Sequence, residues 1–398
     1  MLCSSWKTPT GRSVLRMNDR KKRALAHIEK IEWVKNIEGA DNIELIGVLG
    51  WVCIAKKNEF KQGDLAVYIE IDSKCPAEDE RFAFLEKKRY KIKTMKLGRF
   101  DVVSQGIALP VSMFPELNGK KVGADVTEIL KIRYVVEQEN EEKADTVMKT
   151  LKEKRFAKNP LIKFLMRYEW FCSLMAILFL NENEKKKQYP AWIPKTDEVR
   201  IENVPEYLEN TEIWVATEKL DGTSCTYAVN QTAKGKYEFI ICSRNQRIID
   251  KHQNETGERV NIYWELAEKY HLKDTLTRFA KENKYRRVIV QGEGIGRVQG
   301  NPYQLNENEL YIFNLIIEGK RMGTVRMSEI CKELHLNHVP IIDTEYRLPK
   351  TMAEMKAAAE GKSEIDPSVK REGVVYRTID GRKSFKNVSN SYLLKSKH

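Results

Sequence analysis

No Cys-x-x-Cys pair occurs in this chain; its seven cysteines (Cys3, Cys53, Cys75, Cys172, Cys225, Cys242 and Cys331) are scattered. Neither a zinc site nor a disulfide framework is indicated, and an odd count suits a reducing compartment. The N-terminus lacks an apolar signal core, and the longest apolar run, residues 170–180, is about half the ~20 residues that span a bilayer. The expectation is a soluble, intracellular protein with no membrane contact; no protein partner is indicated. Gly292, Gly294 and Gly296 mimic a dinucleotide-binding loop, but the next glycine, Gly300, is misplaced and no helix pattern follows. What the chain has in excess is positive charge: 69 Lys and Arg against 57 Asp and Glu, a net charge of +12. That balance favours a polyanionic partner. Its 398 residues and 41% hydrophobic content allow two or three domains with ordinary cores.

The chemistry-bearing segment is Lys219-Leu220-Asp221-Gly222. The β-branched, apolar residues just before it read as a buried strand that carries Lys219 into a pocket. Desolvation there is expected to lower the lysine pKa and make it a nucleophile. Gly222 permits close backbone approach to a ligand, and Asp221 places a carboxylate near a ribose hydroxyl or a metal-bound water. A turn with a solvent-facing lysine would explain the same four letters. Five further short strands follow in order, each delivering a charged or aromatic residue: Arg244, Glu293, Phe313, Glu372 and Lys386.

The order lysine, arginine, glutamate, aromatic, glutamate, lysine resembles the covalent nucleotidyltransferases, which comprise ATP-dependent DNA and RNA ligases and mRNA-capping guanylyltransferases. The resemblance spans residues 195–395. Thr223-Ser224, where DNA ligases and capping enzymes usually carry an arginine, and the lead-in segment 195–201 resemble RNA-ligase-2-like enzymes. The resemblance implies that Lys219 forms a lysyl-AMP and that Glu218 offers backbone contacts to the adenine edge. It also implies that Arg244 and Arg200 meet ribose or phosphates and that Phe313 stacks on the adenine. Asp221, Glu293 and Glu372 would hold Mg²⁺ or Mn²⁺, and Lys386 would neutralise the α-phosphate as a second catalytic lysine. ATP and a divalent metal are the implied cofactors. RNA with 5′-phosphate and 3′-OH ends, a nicked duplex being one form that presents both, is the implied partner. One departure stands: the family's last motif commonly reads Lys-x-Lys, and here Val388 follows Lys386, leaving Lys383, Lys395 or nothing as the second lysine. A DNA ligase or guanylyltransferase is the alternative. A further one is an inactive nucleic-acid-binding homologue.

Ahead of the motifs, residues 25–130 alternate short strands with turns, the pattern of a small barrel of oligonucleotide-binding (OB) type. Its segment 82–100 interleaves Lys87, Lys88, Arg89, Lys91 and Lys93 with Phe84, Tyr90 and Phe100, so bases could stack while cations track phosphates. The other reading is a solvated loop whose aromatics anchor the core. A barrel preceding the catalytic domain resembles a smaller branch of RNA ligases that join a 3′-OH to a 5′-phosphate. The expected fold class is α+β. A flexible basic arm (1–22) leads into the OB-type β-barrel (23–135), and a helical connector (136–190) precedes an ATP-grasp-like nucleotidyltransferase domain of antiparallel sheets with flanking helices (191–398).

Overall fold

A computed structural model describes residues 24–135, 189–209, 211–251 and 261–395. The basic arm, most of the expected connector, Cys3 and Cys172 lie outside the described residues.

The N-terminal part is built from ten short strands: β1 (Ala26–Lys30), β2 (Trp33–Asn36), β3 (Ile43–Val48), β4 (Trp51–Lys56), β5 (Leu65–Ile69), β6 (Ser73–Lys74), β7 (Met95–Leu97), β8 (Val102–Ser104), β9 (Ile107–Pro110) and β10 (Arg133–Tyr134). They form the ladders β1-β5-β9, β2-β3-β4, β6-β10 and β7-β8 around one core. Ile28, Ile46, Trp51, Val67, Ile69, Phe82 and Phe114 fill that core, as alternating burial along half-buried strands requires. Residues 26–36 hold two strands, because pairing with β5 stops after Lys30 and the chain then joins the ladder of β3. Leu49 and Gly50 link β3 to β4 with positive φ at both positions (51° and 74°), the geometry that suits a two-residue hairpin.

The C-terminal part holds two antiparallel sheets. β11 (Trp214–Lys219), β17 (Ile341–Tyr346), β18 (Gly373–Thr378) and β19 (Ser384–Val388) form one in the order β17-β11-β18-β19. β12 (Thr223–Gln231), β13 (Tyr237–Cys242), β14 (Arg287–Ile295), β15 (Glu309–Ile317) and β16 (Lys320–Arg321) form the other in the order β13-β12-β14-β15-β16. Helices α1 (Ile262–Lys269), α2 (Leu272–Glu282) and α3 (Thr324–Glu333) pack on the five-stranded sheet through Ile262, Leu266, Leu276, Phe279, Met327 and Ile330. α1 and α2 are separate helices, because His271 between them adopts a left-handed conformation (φ 47°) that an α-helix cannot continue through. Asn261 caps α1, its side chain accepting from the Trp264 N–H at 3.1 Å. α4 (Met352–Ala358) packs against β19, and α5 (Asn390–Lys395) follows it.

The two parts touch through Arg200, which lies 5.5 Å over the Trp51 ring, and through Asn203, whose amide donates to the buried Glu70 carboxylate. Among the described residues no helix is long and apolar enough to cross a membrane.

Candidate active site

The segment 219–222 is where the chain leaves one sheet and enters the other. Lys219 ends β11 opposite Gly373 of β18, and Thr223 begins β12 opposite Gly294 of β14. A Cβ on Gly222 would sit 2.4 Å from the Gly294 carbonyl oxygen, so only glycine lets the strands approach this closely. The close approach expected of Gly222 is therefore to β14, whether or not a ligand is near. Between the sheets lies a cavity of about 290 Å³, close to the lower end of the roughly 300–1,000 Å³ range of small-molecule sites. A larger open groove of about 440 Å³ beside α2 and α3, lined by Phe279, Tyr285 and Ile330, carries no comparable convergence of carboxylates and amines.

The cavity gathers Glu218, Lys219, Asp221, Gly222, Arg244, Glu293, Phe313, Glu372 and Lys386, residues that span 169 positions of the sequence. Arg200 is not among its lining residues. It bridges β19 at Lys386, faces Trp51, and keeps a buried Nη1 without a hydrogen-bond partner among the described residues. Its guanidinium is still close enough for its charge to be felt at Lys386 in the cavity, so Arg200 stands behind the lining and between it and the barrel tryptophan.

Lys219 Nζ pairs with Glu372 Oε2 at 2.6 Å. Burial pulls the lysine pKa down, but the carboxylates of Glu372, Glu293 and Asp221 outweigh it and hold the value above the ordinary range. The expected activation by desolvation is thus reversed in the protein alone, since three acids surround one amine. Burial pushes the Glu293 carboxyl up to about 8 although Lys219 opposes it, and burial with the nearby Arg200 and Lys219 charges brings Lys386 down to about 8. Lys386 sits on β19 opposite Val375, so the hairpin through Asp380-Gly381 places it beside the strand that follows Glu372, as the sequence indicates.

Glu218 is 1% exposed; its Oε2 accepts from the Glu364 N–H at 2.8 Å, and its Oε1 has no hydrogen-bond partner among the described residues. Its own N–H donates to the Pro340 carbonyl, so that backbone donor, expected at the adenine edge, is already engaged. Phe313 leans on the apolar patch of Leu220, Ile295, Tyr303 and Val339. Arg244 is half exposed and pairs with Asp197 at the mouth. The lead-in segment stitches both sheets together: Pro194 O accepts from Gln291 Nε2 (2.7 Å), Thr196 bonds Ser224, and Val199 O accepts from the Lys386 N–H (2.7 Å).

Asp221, Glu293 and Glu372, expected as metal ligands, do not form a ready-made cage. Among the described residues no group of three His, Cys, Asp or Glu side chains stands in metal-binding geometry. Glu372 is held by Lys219, and Asp221 accepts from the Tyr392 hydroxyl at 2.6 Å. Their all-oxygen chemistry nevertheless fits Mg²⁺ or Mn²⁺, ions that commonly keep several waters and share phosphate oxygens with the protein.

Several residues escape sequence reasoning. Glu198 and Arg377 form a buried pair at 2.9 Å on the cavity wall, and Arg377 donates to the Phe313 carbonyl. A charged residue inside the apolar strand 373–378 was the available signal. Tyr303 and Tyr392 carried none, because each reaches Asp221 from a distant segment. For the last motif, Val388 is buried and Lys383 pairs with Glu212 at 2.8 Å outside the cavity.

On the N-terminal part, Lys87, Lys88, Arg89 and Lys93 are exposed, and Lys91 is half-buried. Tyr90 is half-buried and packs one side against the core, with its N–H donating to the Leu85 carbonyl at 3.0 Å. Phe84, 59% exposed, is the free aromatic face beside these cations.

Comparison with known families gives two matches: an OB-fold domain over residues 25–111 and RNA ligase over residues 212–397. The chain is similar to solved structures of the Naegleria gruberi RNA ligase. A variant with AMP and Mn shares 30% identity over 94% of this chain and 99% of that one, with a TM-score of 0.65. The form with PPi gives 30%, 94%, 99% and 0.64, and a variant with ATP and Mn gives 29%, 93%, 98% and 0.65. No curated protein sequence matches. The N-terminal strands are thus an OB fold, placed ahead of a ligase domain.

Proposed function

The chain belongs to the RNA ligase family and is an ATP-dependent enzyme of that kind; we propose that it joins a 3′-OH to a 5′-phosphate of RNA through a lysyl-AMP on Lys219. The observation that carries the residue assignment is the 2.6 Å approach of the Lys219 amine to Glu372, in a cavity that also holds Glu293, Phe313 and Lys386.

Neutral Lys219 Nζ attacks the α-phosphorus of ATP; the new P–N bond replaces the bond to the β-phosphate oxygen, pyrophosphate leaves, and the amine loses its proton. A 5′-phosphate oxygen of RNA then attacks the AMP phosphorus, breaking the P–N bond and freeing the Lys219 amine; the 3′-OH attacks the phosphorus of that RNA 5′-phosphate, the anhydride bond breaks and AMP leaves with the hydroxyl proton released. Lys386, charged below about 8, faces the same cavity and can offset charge on the α-phosphate. A divalent cation bound near Asp221, Glu293 and Glu372 would offset the acids that hold the Lys219 proton and neutralise phosphate oxygens. Arg244 at the mouth suits a ribose or phosphate contact. Phe313 offers an apolar face for the base. Glu218 Oε1, a buried acceptor, suits the exocyclic amine of adenine and not the keto oxygen of guanine. That argues for ATP and against a guanylyltransferase.

The five described cysteines are all free and buried, which supports a reducing, intracellular setting. Lys87, Lys88, Arg89, Lys91 and Lys93, with Phe84, are the RNA-facing surface of this reading.

Incubation with labelled ATP and Mg²⁺ or Mn²⁺ is expected to give an AMP adduct that survives denaturation and disappears in Lys219→Ala. Sealing of a nicked RNA duplex should accompany it. Labelling from GTP instead of ATP, or no adduct with either metal, would overturn the proposal.

A further inference from the structure

Asp221 is gripped from two directions. Its backbone N–H donates to the Tyr303 hydroxyl at 2.8 Å, and its Oδ2 accepts from the Tyr392 hydroxyl at 2.6 Å. Tyr392 belongs to α5, which begins two residues after the strand of Lys386 and packs against β8 of the OB domain. β8 is paired to β7 with Val103 opposite Lys96, and the Asp221 charge favours the Lys96 ammonium against the burial that lowers its pKa. The carboxylate therefore lies where a helix from the end of the chain and a hairpin from its beginning meet the ligase domain.

A short hydrogen bond from a neutral phenol to a carboxylate fixes the side-chain torsion and leaves the second oxygen with a defined direction. Asp221 lines the nucleotide cavity, and its charge helps to hold the Lys219 proton. We propose that Tyr392 is a positioning residue for adenylyl transfer: its hydroxyl sets the Asp221 carboxylate in the orientation from which it meets the cation that accompanies ATP. The proposal rests on the ligase reading for the identity of that nucleotide, and on the Tyr392–Asp221 contact for everything else. The contact is not local, since 171 residues separate the partners. α5 is tied to the ligase domain through Glu360, which accepts from Ser389 and Ser391, and it also lies against β8 of the OB domain, so the Asp221 carboxylate is oriented by a helix that touches both domains.

Tyr392→Phe keeps the ring and removes only the hydroxyl. Partners that orient metal-binding side chains typically contribute about 10–100-fold to metal affinity. The half-saturating Mn²⁺ concentration for lysyl-AMP formation is accordingly expected to rise roughly tenfold, with the adduct yield at saturating Mn²⁺ near that of the unsubstituted protein. A second measurement needs no chemistry: the rise in melting temperature given by Mn²⁺ with a non-hydrolysable ATP analogue should be smaller in Tyr392→Phe. An unchanged Mn²⁺ requirement together with an unchanged analogue-induced rise would overturn the proposal, whether or not the variant melts lower by itself. If the unsubstituted protein forms no adduct, the ligase reading fails, and the analogue measurement still decides the role of Tyr392.

Discussion

At the scale of single residues the site is governed by competition between burial and charge. Lys219 is desolvated, yet the acids beside it, Glu372 foremost, keep it protonated, so its activation must come from whatever offsets them. Glu293 shows the opposite balance, with its carboxyl at about 8 because burial exceeds the pull of Lys219. A folded-state pKa raised above the ordinary 4.5 means that the protonated form is the one the fold prefers. The associated stability is fully present below about 4.5 and is lost as pH rises through about 8. Glu293→Gln should therefore melt close to the unsubstituted protein at pH 5 and above it at pH 8.5, by roughly 2–4 °C, in paired thermal scans. The same variant should lower adduct formation by about 10²-fold or more, because the cavity loses a carboxylate beside Lys219. Equal melting differences at both pH values would refute the assignment. The nucleophile was legible because Arg244, Glu293, Phe313, Glu372 and Lys386 follow Lys219-Leu220-Asp221-Gly222 in a fixed order. Its charge state was not, because that depends on Glu293 and Glu372, 74 and 153 residues further on.

At the scale of elements, the switch between sheets at residues 219–222 matters most. β11 and β12 belong to different sheets, and the turn between them runs under β14 with no room for a side chain at Gly222. Gly222→Ala should cost about 1–3 kcal/mol in chemical denaturation, the usual penalty of overpacking, and should reduce the adduct because Lys219 and Asp221 lie in the segment that the added methyl displaces. A variant with unchanged midpoint and full adduct would show that the turn relaxes freely. The strands of this half could be read from alternation and from their terminal charged residues. The extension of β14 through Gly292, Glu293 and Gly294 could not, since glycine is a poor strand former. Those glycines are tolerated there by contact: a Cβ at 292 would lie 2.6 Å from the Tyr311 carbonyl oxygen, and one at 294 would lie 2.9 Å from the Leu266 side chain.

At the scale of the whole molecule, a net charge of +12 and a basic face on the OB domain bear on a polyanionic substrate. Phosphate contacts release counterions, so affinity for RNA should fall steeply with salt. Replacing Lys87 and Lys88 together by alanine should weaken RNA binding and reduce the slope of log affinity against log salt by about 2, as titrations at several salt concentrations would measure. Formation of the AMP adduct should be unaffected, because neither lysine lines the cavity. An unchanged slope would move the RNA path to another face.

The sequence by itself determined the class of chemistry and the order of its carriers, because a lysine nucleophile and its strand-end partners are local patterns repeated along the chain. It also determined the α+β character and the presence of a small β-domain ahead of the ligase domain, since both follow from alternation and turn residues. Only the tertiary structure decided which groups share the cavity, that Arg200 is turned to Trp51, that Tyr90 packs against the core, and that Lys219 stays protonated among acids. It alone revealed the grip of Tyr303 and Tyr392 on Asp221. The physical reason is range: strand and turn preferences act over a few residues, whereas burial, charge balance and hydrogen-bond partners are set by segments that meet only when the chain has folded.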